Sequence, residues 1–406
     1  MRALKSLLLL AAALAAAETA DHPLFERIEE LTAKLSEITG LEVRRKVPYA
    51  MIDRKELRKF LERRIAEEIK DEEIRIEETL LKKFGLVPAD FDLKKTTIEL
   101  YTEQAAAFYD FKRKKLFVLE SADTALQEAA LTHELAHALA DQHFRLARFL
   151  DRAGNSDDGA LARLAVMEGQ ASWLMAEMMA RATGQSLRTS PELVDLMSRM
   201  MGAGGADSPV YDQAPLYIRE SLIFPYTSGM KFQQAVLEKL GGRGFLEVFR
   251  RPPVSTQQVL HPDKYLNGTG TLAVELPKWN SRGYRKLAEG SVGEFDYAVL
   301  LRQYLDEEAT RRIAPAWRAG RYRLFEHKQD GRTVLLQASS WETEQKAGEF
   351  FAAYRKVLAG KWKAIEVSRQ EGERLAGRGD DGYFWLRRQG RCVYSIEGLA
   401  APGEGP

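Results

Sequence analysis

The sequence predicts an α+β fold that is mainly helical, with a short hairpin ahead of a central helix and a small C-terminal α+β domain. Three patterns lead there. Apolar residues recur at helical spacing through most of the first 300 positions. Ala106-Ala-Phe-Tyr109 and Lys115-Leu-Phe-Val-Leu119 flank Asp110-Phe-Lys-Arg-Lys114 and read as a hairpin. Between residues 320 and 400 the pattern becomes hairpin, helix, hairpin: Tyr322-Arg-Leu-Phe and Thr333-Val-Leu-Leu, a helix from Glu342 to Leu358, then Tyr383-Phe-Trp-Leu and Val393-Tyr-Ser-Ile.

Taken in chain order, the first segment is a targeting signal. Met1-Arg-Ala-Leu-Lys-Ser, the apolar Leu7 to Leu10 and an alanine run ending at Ala17 form a basic start, a short apolar core and a small-residue cleavage site. The expectation is a cleaved signal peptide over residues 1–17 and a secreted or periplasmic protein. No apolar stretch is long enough to span a bilayer, so no transmembrane segment is expected after cleavage. The only cysteine, Cys392, is far from the signal, which excludes a lipoprotein and an internal disulfide.

Residues 18–97 read as an N-terminal helical region. Lys55-Glu-Leu-Arg-Lys-Phe-Leu-Glu-Arg-Arg-Ile-Ala-Glu-Glu-Ile places apolar residues at helical intervals and opposite charges on an outer, solvated face. Residues 98–290 hold the hairpin, a helix capped by Ser121 or Asp123, a turn through Gly154-Asn-Ser-Asp-Asp-Gly159, a long apolar helix, and further helices interrupted by Gly202-Ala-Gly-Gly-Ala-Asp-Ser-Pro209. The C-terminal domain spans 291–400 and a short tail 401–406. With 45% hydrophobic and 29% charged residues, a chain of 406 can build a full core. Lys plus Arg number 60 against 59 Asp plus Glu, so no net field draws nucleic acid.

The chemistry lies in Leu131-Thr-His-Glu-Leu-Ala-His-Ala-Leu-Ala-Asp141. On a helix, His133 and His137 at i and i+4 share a face, so both imidazoles can bind one Zn²⁺ while Glu134 points at the water-occupied position. A catalytic zinc site uses three protein ligands. Glu168 is the candidate third, a carboxylate in the middle of the otherwise apolar helix that begins near Asp158, where burial demands a partner or a metal. Gly169 beside it permits close approach of another helix.

His133-Glu134-Leu-Ala-His137 followed by Glu168-Gly-Gln-Ala171 resembles the gluzincin zinc metallopeptidases. The resemblance covers about 60 residues and implies a zincin-like core of edge hairpin, HExxH helix and glutamate helix. His137-Ala-Leu-Ala-Asp-Gln-His-Phe144 and Leu260-His-Pro-Asp-Lys-Tyr265 resemble exported bacterial gluzincin-like proteins of unassigned substrate. Two departures stand out. The ligand spacing is longer than in aminopeptidases of this type, and Ser172 occupies the position where thermolysin-like enzymes carry an aspartate that orients a ligand histidine.

The expected function is zinc-dependent hydrolysis of a peptide or protein substrate. Zinc held by His133, His137 and Glu168 acidifies its water, Glu134 serves as general base and then protonates the leaving amine, and Tyr226 or His261 supplies a donor for the oxyanion. Asp141, one turn beyond His137, is a candidate acceptor for a ligand N–H. An extended substrate is expected to pair with the strand at Phe108 and Tyr109. The alternative is an envelope binding or scaffolding protein of zincin-like fold with little turnover; the intact Glu134 argues against it. A di-iron bundle would need a second Glu-x-x-His pair, which the chain lacks.

Overall fold

The computed structural model describes residues 26–120, 124–202 and 208–402. The signal segment 1–17, the expected caps Ser121 and Asp123, residues 203–207 of the glycine-rich loop and the last four residues lie outside the described residues. The fold is α+β, as expected. Four helices, α1 (Ile28–Thr39), α2 (Arg54–Glu68), α3 (Asp71–Phe84) and α4 (Leu93–Gln104), make up the N-terminal region. α2 begins with a full capping box, Asp53 accepting from Glu56 N–H and Glu56 from Asp53 N–H, which fixes its start despite its highly charged sequence.

This region also contains a strand that helical periodicity did not announce. β1 (Tyr49–Ile52) runs parallel to β3 (Lys115–Leu119), which pairs antiparallel with β2 (Ala107–Asp110). The expected hairpin therefore becomes a three-stranded sheet of order β1-β3-β2, with β2 at its edge. Ala50 and Ile52 of β1 are buried with Leu57, Phe60, Phe117 and Leu119 in a small apolar cluster of their own, which holds α2 over the sheet.

Next come the motif helix α5 (Thr124–Phe144), α6 (Leu146–Asp151), the glutamate helix α7 (Asp157–Ala182), α8 (Pro191–Gly202), α9 (Pro209–Gln213) and α10 (Leu216–Leu240). α5 packs on α7, and α7 on α10. α7 and α10 touch backbone to backbone: a Cβ on Gly169 would overlap the Gly229 carbonyl, and one on Gly229 the Ala165 carbonyl oxygen. Short helices α11 (Gly244–Arg250), α12 (Thr256–Leu260) and α13 (Pro262–Leu266) lead to the C-terminal sheet.

That sheet is larger than a pair of hairpins. β4 (Tyr284–Ser291), β5 (Trp317–His327), β6 (Thr333–Trp341), β7 (Glu366–Glu371), β8 (Arg374–Gly379), β9 (Gly382–Gln389) and β10 (Cys392–Leu399) form an antiparallel sheet of order β4-β5-β6-β10-β9-β8-β7. Helices α14 (Glu294–Tyr304) and α15 (Glu307–Ile313) connect β4 to β5, and α16 (Glu344–Lys361) packs against β6, β9 and β10. The first strand begins before residue 291, so the sheet crosses the expected domain boundary. The main hydrophobic core runs from the N-terminal helices to the C-terminal sheet: Leu35, Leu135, Leu164, Phe232, Leu301 and Phe350 belong to the same buried cluster.

Candidate metal centre

His133 and His137 project from α5 toward Glu168 on α7, and all three are buried. Their ligand atoms converge. His133 Nε2 and His137 Nε2 each lie 3.1 Å from Glu168 Oε2 and 3.0 Å from each other. Hydrogen bonding alone satisfies this triangle poorly. If both Nε2 atoms carry protons, the two N–H groups oppose each other; if only one does, the other nitrogen turns a lone pair on the carboxylate. A cation at the common focus satisfies all three lone pairs at once. Zn–N and Zn–O bonds of 2.0–2.2 Å at tetrahedral angles separate ligand atoms by about 3.3 Å, a few tenths of an ångström beyond the spacing here. The donor set therefore fits zinc.

Around the cluster lies a cleft of about 590 Å³. Glu134 lines it, and its Oε2 accepts the backbone N–H of Tyr109 at 2.8 Å. Burial pushes the Glu134 carboxyl up to about 7; the neighbouring Glu168 charge adds to this, while His133 and the Tyr109 N–H oppose it. Burial also works to raise Glu168, but the charge of His137 and the hydrogen bonds from both imidazoles outweigh it and bring that carboxyl down to about 2. The two carboxyls of the site are thus driven in opposite directions. One is suited to carry a proton, the other to remain an anionic ligand.

Of the two expected oxyanion donors, the structure brings one to the cluster. Tyr226, on α10, lines the cleft and stacks on the His133 ring at 5.8 Å between centroids and 28° between planes. Burial and the adjacent Glu168 and Glu134 hold its hydroxyl in the protonated, donating form. His261 does not join them. It lies between α12 and α13, where its Nε2 pairs with Glu294 Oε1 at 2.7 Å, a contact that ties this turn to the start of α14.

Asp141 has a different role from the expected one. Its carboxylate accepts the Tyr109 hydroxyl (3.1 Å), Lys114 Nζ (2.6 Å) and Leu146 N–H (2.9 Å), clamping the edge strand to the end of the motif helix rather than orienting a ligand histidine. Ser172, one turn past Glu168, is fully buried, and its hydroxyl has no hydrogen-bond partner among the described residues. Sequence reasoning placed Tyr109 on the substrate strand but missed its contacts with the site: its N–H holds Glu134 and its hydroxyl holds Asp141. Its position in the hairpin was readable, but the register was not.

The register also corrects the expected substrate edge. Leu119 N–H bonds Ala106 carbonyl, so alternation places Ala106, Phe108 and Asp110 in hydrogen-bonded pairs with β3. Leu116 N–H goes to Pro48 on the other side, consistent with this. The backbone groups facing away from β3 are those of Ala107 and Tyr109, not Phe108, and the Tyr109 N–H is already taken by Glu134.

Residues 282–403 match a family model described as a domain of unknown function (DUF8575), which coincides with the seven-stranded sheet and its helices. No curated protein and no solved structure matches the chain.

Proposed function

We propose that the chain is an exported zinc-dependent peptide hydrolase of gluzincin type, with β2, α5 and α7 as its zincin-like core. The observation that carries this reading is the convergence of His133, His137 and Glu168 on one point beside Glu134, inside a cleft walled by an open strand edge. His133, His137 and Glu168 would hold the metal. Bound zinc supplies Lewis acidity toward a water and toward the scissile carbonyl. Glu134 takes the proton of the attacking water and returns it to the amine nitrogen as the C–N bond breaks, and the Tyr109 N–H fixes the orientation of its carboxylate. The Tyr226 hydroxyl donates to the oxygen on which negative charge develops. An extended peptide adds to β2 through the outward backbone of Ala107, which aligns its carbonyl with the cluster. Export rests on the signal-like residues 1–17.

The test is turnover of a mixed peptide library by zinc-reconstituted protein and by its Glu134→Gln variant. Cleavage is expected for the native chain and its loss, at unchanged zinc content, for the variant. A zinc-loaded native chain that cleaves no peptide would leave the scaffold alternative standing.

A further inference from the structure

We infer that the cleft selects an internal, uncharged stretch of polypeptide carrying a large apolar side chain, which a methionine wall accepts without strict regard to shape. This rests on the peptidase reading and adds its substrate class.

Helix geometry builds the wall. At about 100° per residue, positions 168, 172, 175, 176 and 179 share one face of α7. The stripe that begins with Glu168 therefore continues as Met175 and Met179, both lining the cleft. Met197, Met200 and Met201 of α8 face them across it, so five of the ten methionines in the chain lie here. That concentration is a local feature rather than a consequence of composition. Leu222 and Ile223 of α10 close the gap toward Tyr226. At the mouth Met179 is 47% and Met200 63% exposed, an apolar rim with no covering element among the described residues.

Two properties of this wall define what enters. Methionine is unbranched and polarisable, so a wall of five adapts to leucine, methionine or phenylalanine alike instead of matching one shape. Among the described lining residues, the only carboxylates or imidazoles are His133, Glu134, His137 and Glu168, and none is lysine, arginine or aspartate. Apart from that cluster the lining offers no charged partner, so a free terminal carboxylate, a terminal ammonium or a charged side chain seated against the methionine wall would lose its hydration without compensation. A chain end is thus disfavoured, and the middle of a peptide is preferred. The cleft volume of about 590 Å³ leaves room for more than one bulky side chain.

The experiment uses the zinc-loaded full chain and peptides identical except for one variable residue, each made both with N-acetyl and C-amide blocked ends and with free ends, with cleavage sites located by mass spectrometry. Leucine, methionine and phenylalanine peptides should be cleaved within about tenfold of one another, and aspartate or lysine peptides about a hundredfold more slowly in kcat/KM. Met197→Lys, and separately Met200→Lys at its exposed position, should narrow the gap for the aspartate peptide and widen it for the lysine peptide. Cleavage indifferent to charge, or confined to unblocked ends, overturns the inference and leaves the peptidase reading intact. If nothing is cleaved, the peptidase reading fails, and binding to the zinc-loaded Glu134→Gln chain by fluorescence anisotropy decides the rest. Tighter binding of the apolar peptides supports the selectivity of the cleft, and equal binding overturns it.

Discussion

Glu168 and Glu177 lie on the same buried helix, nine positions and about 180° apart, and their neighbours give them opposite roles. Glu168 meets two imidazoles. Glu177 is fully buried and accepts from Arg181 Nε, Ser186 Oγ and Leu187 N–H, closing the chain after α7. Glu168→Ala should abolish tight zinc binding with a modest effect on folding. Glu177→Ala should keep zinc but lower unfolding free energy by about 1–3 kcal/mol, because it strands the buried Leu187 N–H and removes the acceptor of the Ser186 hydroxyl. Zinc titration and urea denaturation of both variants separate the roles; equal zinc loss in both would remove Glu168 as the specific ligand. Tyr226→Phe should keep zinc and reduce kcat by a factor of about 10²–10³, as expected on losing one donor to the developing oxyanion. A kcat unchanged in that variant would reduce Tyr226 to a packing residue. At this scale the sequence was informative wherever a residue type is costly to bury without a reason. Glu168 could be read that way, and so could the histidine pair. His261 could not be separated from Tyr226, because each was chosen as a Tyr or His donor on a separate segment, and residue type says nothing of which one reaches the cluster.

The edge strand and the helix crossing are the elements that position these groups. Ala107 N–H faces away from β3, so Ala107→Pro should leave the fold and zinc content intact while lowering turnover at least about tenfold, whereas Phe108→Pro breaks the ladder and destabilises the sheet. Circular dichroism and zinc content alongside kcat/KM distinguish them; normal turnover in Ala107→Pro would show that substrate does not pair with β2. Gly169→Ala should cost about 3 kcal/mol or more and weaken zinc binding, since a methyl group meets the Gly229 carbonyl and pushes α7, with Glu168, away from α10. The helices and the hairpin were legible because their periodicities are strong and Gly169 sits beside the buried carboxylate. β1 was not, for its four residues lie among charged helices and are recognisable only through their parallel pairing with β3. β7 is exposed along its whole length, so no alternation of apolar and polar residues marks it. The methionine face of α7 could have been found by continuing its stripe past Glu168 to Met175 and Met179, but only the packing of α8 shows that the methionines of α8 meet it.

For the whole molecule, the C-terminal sheet reaches back to the start of the glutamate helix. Tyr322 on β5 donates to Asp157 (2.9 Å), Ser291 on β4 accepts from Asp158 N–H (3.0 Å), and Asp158 accepts from the Thr256 hydroxyl and N–H. Glu168 lies ten residues farther along that same helix. The segment expected to be a separate C-terminal domain is therefore part of the frame that holds Glu168, and it shares the core of the N-terminal half. Deleting residues 282–406 should leave a chain that neither folds cooperatively nor binds zinc; a soluble, zinc-binding remnant would show the sheet to be dispensable. Zinc itself should stabilise the full chain, by about 2.7 kcal/mol when free metal exceeds Kd a hundredfold. The central claim, that His133, His137 and Glu168 bind zinc while Glu134 stands beside it as base, is tested most directly by equilibrium dialysis against zinc. One zinc per chain is expected for the native protein and for Glu134→Gln, and none for His133→Ala, His137→Ala or Glu168→Ala, each checked for retained fold. No zinc in the native chain, or zinc retained in the folded ligand variants, would contradict it.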